Sequence, residues 1–158
     1  VNDGVYTNYK YGFTFEYPKD KFEQTYSDED SAGWDLITED DDNFQIKRRI
    51  GIHVTVSDPF RVLYERFFAQ GEQEIITGKM IMTLLEKKET DEYKFLKLFT
   101  RTNPDQATEQ VATYSGIWFK EETMIVLSMW VLVENEQFLH PQLSLFNEII
   151  ETFEFTEK

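Results

Sequence analysis

The 158-residue chain contains no cysteine, only 7 glycines and 4 prolines, and few basic residues. The lack of cysteine excludes disulfide bonds, thiol catalysis and thiolate metal ligands. No apolar run approaches the ~18 residues of a membrane-spanning helix, so no transmembrane segment is expected in this chain. The 16 basic residues are outnumbered by 30 acidic ones, and the net charge of −14 disfavours nucleic acid as a partner.

Recognisable catalytic signatures are also absent. The chain has no Gly-x-Ser-x-Gly elbow, no glycine-rich phosphate loop and no dinucleotide fingerprint. His53 and His140 are its only histidines, which makes a histidine-rich metal centre improbable. We therefore predict a protein that is not an enzyme, with no catalytic residue and no cofactor.

Aromatic residues are abundant, with 14 phenylalanines, 8 tyrosines and 3 tryptophans, and they favour sheet-rich structure. No linker or repeat divides the sequence, so residues 1–158 are predicted to form a single domain. Residues 1–5 are expected to be the end of a tether from a removed N-terminal segment. The predicted strands are Val5–Tyr9, Phe13–Tyr17, Phe22–Tyr26, Trp34–Thr38, Phe44–Ser57, Thr83–Lys88, Tyr93–Arg101, Val111–Phe119, Thr123–Val133 and Phe153–Phe155.

Two amphipathic helices are predicted, one starting at Asp58-Pro59 and stopping at Gly71, the other running from Pro141 to Thr152. The segment Met124–Val133 is almost continuously apolar, so it needs cover on both faces of its sheet. This pattern predicts three layers.

Three segments together resemble PsbP-like domains. They are the opening run Tyr9–Pro18, with its Gly-Phe-x-Phe-x-Tyr-Pro pattern, the strand Met124–Val133, and the closing helix and strand Phe146–Phe155. The resemblance implies the PsbP/Mog-like fold: α+β, a three-layer α/β/α sandwich with a central antiparallel sheet. It also implies a non-catalytic docking protein, because the members of that superfamily are mostly docking proteins.

The densest carboxylate cluster supplies weak metal candidates, Asp40, Asp41 and Asp42. Calcium needs several oxygens around one point, and consecutive aspartates lack the alternating spacing that turns them inward. A solvated turn is therefore the default interpretation, with weak Ca²⁺ binding as the alternative.

A second group of residues is a candidate interaction surface. Lys47, Arg49 and His53 alternate along the polar side of the predicted strand Phe44–Ser57. Trp118 is expected to be half-exposed on a hairpin, where a tryptophan can anchor a partner protein.

The leading functional hypothesis is an exported, non-catalytic module that binds an unknown protein. As the resemblance implies, it would be extracellular or in the cell envelope, anchored through a lipid upstream of Val1. The first alternative is a binder of a small ligand or divalent cation in a pocket between helix and sheet. The second is a carboxylate-based hydrolase, which requires two close acids in a cleft, one with a raised pKa. The sequence leaves the oligomeric state open.

Overall fold

The structure, a computed structural model, describes residues 4–37, 51–58, 61–102, 111–132 and 139–156. The two helical segments in these ranges are α1 (Arg61–Tyr64), which continues as a π-helical turn over Glu65–Ala69, and α2 (Leu139–Glu151). The strands in these ranges are β1 (Gly4–Asn8), β2 (Phe13–Tyr17), β3 (Phe22–Ser27), β4 (Ser31–Leu36), β5 (Gly51–Ser57), β6 (Glu74–Ile76), β7 (Met80–Glu89), β8 (Lys94–Thr102), β9 (Val111–Lys120), β10 (Thr123–Leu132) and β11 (Glu154–Phe155).

The strands form two antiparallel sheets. Among the described residues, the large sheet has eight strands in the order β3-β4-β5-β10-β9-β8-β7-β6, and the small sheet has the order β1-β2-β11. Both predicted hairpins are confirmed, as β7–β8 and β9–β10. The short closing strand is confirmed too, because β11 pairs with β2.

The aromatic opening of the chain forms the β1–β2 hairpin. Gly12 has a φ of 71°, a conformation that glycine adopts without steric cost, and its N–H donates to the Asn8 carbonyl at 2.9 Å. The alternation then places Phe13 and Phe15 on the buried side, where both are 0% exposed. The predicted strand with one buried face is therefore confirmed.

The large sheet has a hydrophobic cluster on each face. One cluster contains Ile125, Leu127 and Met129 of β10, and it is covered by the small sheet and α2. The other contains Met124, with Val126 packed against it, and it includes the fully buried Phe67 of the π-helical turn. The apolar strand β10 is thus buried from both sides, as its sequence predicts.

The predicted three-layer α/β/α sandwich is wrong. Within the described residues the chain is mostly antiparallel strand, with two helical segments. The Tyr9–Pro18 region does not join a single central sheet. Instead β2 pairs with β1 and β11, and this second sheet supplies much of the layer that was assigned to helices. Among the described residues, the short helical segment from Arg61 to Ala69 covers the opposite face of the large sheet. The segment ends shortly before Gly71, which has a φ of +67°.

Candidate functional site

One row of residues in register crosses seven strands of the large sheet and changes character along its length. In an antiparallel sheet, residues directly opposite each other point to the same face. The row runs, from β3 to β7, through Tyr26, Gly33, His53, Ser128, Ser115, Leu98 and Leu84. It is polar on the β3 side and apolar on the β7 side.

The apolar half of the row lies under the helical segment. Leu98 is 2% exposed and belongs to the cluster that contains Phe67, and Leu84 packs against that cluster. The amphipathic stripe predicted from the sequence explains this cover, because Leu63, Tyr64 and Phe68 also contact the cluster.

The polar half forms a half-exposed patch, which we call the His53 face: Tyr26, His53, Thr55 and Ser128. The Tyr26 and His53 ring centroids are 5.9 Å apart, and Tyr26 is 45% exposed. A Cβ at Gly33 would fall 2.3 Å from Tyr26 Cε1, so the glycine lets the phenol ring lie against the sheet. The patch therefore combines an accessible aromatic ring with neighbouring polar groups.

Hydrogen bonds fix the polar members of this face. Thr55 Oγ1 lies 3.1 Å from His53 Nδ1, and Ser128 Oγ lies 3.0 Å from Ser115 Oγ on the adjacent strand. Residues two apart on a strand share a face, which explains the contact between His53 and Thr55. The imidazole is thus held in place while it stays half-buried.

Burial lowers the pKa of His53 below its usual 6.5, because desolvation disfavours the charged imidazolium. The unfolded chain therefore binds a proton at higher pH than the folded chain does. We expect folding stability to fall as the pH drops from about 6.5 through the folded-state pKa, and to be unaffected by this group above pH ~7. His53→Gln should remove that part of the decline.

Urea unfolding of wild type and His53→Gln at about pH 7 and pH 5 measures this difference. An NMR titration of the His53 ring gives the pKa directly, with His140 as a second histidine in the same spectrum. A His53 pKa at or above 6.5 would contradict the prediction.

Five of the site residues predicted from the sequence have no described position. Asp40, Asp41, Asp42, Lys47 and Arg49 lie outside the described residues, so their assignments stay predictions.

Trp118 is not half-exposed as expected. It is 4% exposed, and its indole stacks on Phe153 with ring centroids 3.7 Å apart and planes at 14°. The reason is strand register, because Trp118 lies opposite Phe95 and Ile125 on the face that the small sheet and α2 cover. Its assignment to an interaction surface gains no support from this position.

Tyr26 and Ser128 were not assigned to a site from the sequence. Tyr26 follows a β-bulge between Gln24 and Tyr26, and a bulge changes which face a side chain occupies. Ser128 interrupts an otherwise apolar strand, and this interruption was the available signal for a polar patch on one face of β10.

Hydrogen bonds and an ion pair lower the pKa of three carboxyl groups, those of Asp28, Asp30 and Glu72. Hydrogen bonds from the backbone N–H groups of Asp30 and Ser31 lower the pKa of Asp28, and the hydroxyl of Tyr11 lowers that of Asp30. The Arg66 guanidinium lowers the pKa of Glu72. The pKa shifts of Asp28, Asp30 and Glu72 are thus all downward, whereas the hydrolase hypothesis requires a carboxyl group with a raised pKa. The same part of the chain holds no group of three acidic or histidine side chains placed to bind a metal ion.

The fold of this chain is similar to those of two solved structures. The solution structure of cyanobacterial PsbP (CyanoP) from Synechocystis sp. PCC 6803 matches with a TM-score of 0.56 and 16% identity, over 96% of this chain and 91% of that one. A crystal structure from Bacteroides thetaiotaomicron VPI-5482 matches with a TM-score of 0.55 and 8% identity. The match covers 100% of this chain, which spans 50% of that one.

These structures confirm the PsbP-like fold that the three sequence segments predicted, while the Mog-like part of the resemblance stays a prediction. No family model matches the sequence, and no curated protein matches it. Neither helical segment in the described ranges has the length and apolar character needed to cross a membrane.

Proposed function

We propose that this chain is a non-catalytic module that binds another protein through the His53 face. The observation that carries the proposal is the change along the cross-strand row, from Leu84 and Leu98 beneath a helix to Tyr26 and His53 at the surface. The PsbP-like fold supports the scaffold alone, since one fold hosts many functions.

The chemistry of the His53 face suits a protein partner. Tyrosine combines a large apolar ring with a hydroxyl group and loses little conformational entropy on binding, which is why it is enriched in interfaces. With its lowered pKa, His53 is neutral at pH 7 and can donate or accept a hydrogen bond. Lys47 and Arg49 precede β5 in the sequence, and we include them in the proposed surface on that basis.

A photo-crosslinking amino acid at Tyr26 tests this proposal in the full-length protein expressed in its source cells. The matched control carries the same group at Tyr9, which is 88% exposed and lies in the turn between β1 and β2. We expect a discrete crosslinked protein from position 26 that is absent from position 9, and whose yield falls when Thr55→Arg is added. Identical products from both positions, or none from position 26, would contradict the proposal.

We further propose that the module is exported by a bacterium and works outside the cell or in its envelope, anchored through a lipid upstream of Val1. The resemblance of three segments to PsbP-like domains supports this location. Fractionation of cells expressing the full-length gene, followed by protease treatment of intact cells, tests it. A product recovered entirely from the cytoplasm would overturn it.

A further inference from the structure

A cavity of about 410 Å³ opens between α2 and the β7–β8–β9 part of the large sheet. It lies on the opposite face of the sheet from the His53 face, because Phe95 and Trp118 belong to the cluster beneath the small sheet. Its volume falls within the range of about 300–1,000 Å³ that is typical of small-molecule sites.

Aromatic rings line one side of this cavity. The Trp118 ring centroid lies 3.7 Å from that of Phe153 and 4.9 Å from that of Phe95. Phe95 and Trp118 are buried, while Phe153 and Tyr93 are half-buried and supply the accessible ring surface. The Phe153 ring already stacks with Trp118 and Phe13, so a ligand ring would pack against its accessible edge.

A partly buried cation, Lys97, is among the residues that line the cavity. The side chain of Lys97 is 17% exposed. Lys97 lies on the same face of β8 as Phe95 and is paired with Gly116 of β9. Its ammonium lies 3.2 Å from Glu86 Oε2 and 3.0 Å from Asn147 Oδ1. These contacts offset the desolvation of the charge and join the sheet to α2.

Two opposite charges at the rim complete the lining. Lys88 of β7 and Glu151 at the end of α2 both line the cavity, and both are exposed. Within the described residues, neither forms an ion pair. A ligand that carries one carboxylate and one ammonium is therefore complementary to this rim.

We propose that the cavity binds a small zwitterion with an aromatic side chain, that is, a free aromatic amino acid. Its ring packs against Phe153 and Tyr93, its carboxylate meets Lys88, and its ammonium meets Glu151. Lys97, Glu86 and Asn147 form a polar part of the lining. This site is independent of the proposed protein interface, and either can fail without the other.

Titrations of the folded chain with L-phenylalanine, N-acetyl-L-phenylalanine and L-phenylalanine amide, followed by two-dimensional NMR, test the proposal. We expect saturable shifts of the Trp118 indole and Asn147 side-chain signals with L-phenylalanine. Each single-charge analogue should bind about two- to fivefold more weakly, because one ion pair with an exposed side chain is lost. Equal affinity for all three compounds, or no shift at these two residues, would overturn the proposal.

Two variants test whether Lys88 contacts the ligand carboxylate and whether Glu151 contacts the ligand ammonium. Lys88→Gln should weaken L-phenylalanine binding about two- to fivefold but leave the affinity for the amide unchanged, since the amide lacks the carboxylate. Glu151→Gln should weaken L-phenylalanine and spare the N-acetyl compound. Lys79→Gln and Glu148→Gln are the matched controls, because both residues are exposed and neither lines the cavity. Equal losses in the controls would show that the binding follows overall charge, and would contradict the assignment.

Discussion

Replacing Trp34 with alanine is expected to lower the free energy of unfolding by about 3–5 kcal/mol, as for other large buried aromatic rings. Trp34 is 1% exposed and lies on β4 of the large sheet. Its ring centroid is 5.2 Å from Tyr6, 5.6 Å from Phe15 and 5.2 Å from Tyr17, which all belong to the small sheet. The substitution would therefore open a cavity between the two sheets.

Urea unfolding measures the total loss, which is a large part of the ~5–15 kcal/mol stability of a typical domain. Amide hydrogen exchange shows which strands lose stability. We expect the amides of β1 and β2 to lose more protection than those of β7 and β8, because Trp34 joins the small sheet to the large one. A loss of protection spread evenly over all strands would contradict this role.

Trp34→Phe is the matched control. It keeps an aromatic ring between the sheets and removes the indole N–H, which is buried without a hydrogen-bond partner in the part of the chain that the structure describes. Burying an unpaired donor costs about 1–3 kcal/mol, so its removal offsets part of the lost packing. We expect the phenylalanine variant to be clearly more stable than the alanine variant.

Much of the fold follows from local patterns in the sequence. Alternation predicts β2 and the two long hairpins because each strand buries one face, and the apolar run of β10 predicts cover on both sides. Gly71 predicts the end of the first helical segment because its positive φ suits glycine. These signals depend only on residues close together in the chain.

The partition of the strands into two sheets could not be predicted in the same way. The choice depends on whether β2 pairs with β11, whose residues Glu154 and Phe155 lie some 140 positions later, opposite Thr14 and Phe13. An aromatic strand shows that it has a buried face but does not show which strand forms hydrogen bonds with it. The prediction that helices form the layers on both sides of a single sheet was therefore wrong.

The candidate site was partly predictable. The alternation around His53 placed it correctly on the polar side of β5, because Ile52, Val54 and Val56 are buried. The neighbours of His53 come from β3 and β10, and a bulge at β3 sets the position of Tyr26. The burial of Trp118 required the three-dimensional contact with Phe153 and α2, which no local pattern contains.

Gly116→Val is expected to destabilise the fold by about 3 kcal/mol, near the upper end for overpacking a well-packed core. A Cβ at this position would fall 2.9 Å from Ile150 Cδ1 and 2.9 Å from Trp118 Cη2. The Ile150 methyl group is the end of a flexible side chain, but the indole is held in its stack with Phe153. A strand glycine here thus allows Trp118 to lie over the sheet.

Thermal and urea unfolding of Gly116→Val and Gly78→Val provide the comparison, since a Cβ at Gly78 has no neighbour within 4 Å. Gly78→Val should be close to neutral. Combining Gly116→Ala with Ile150→Val should recover only part of the loss caused by Gly116→Ala, because the shorter side chain relieves one contact and the indole still blocks the other. Full recovery would show that the Trp118 ring moves freely, and would contradict a stack that fixes the aromatic wall of the cavity.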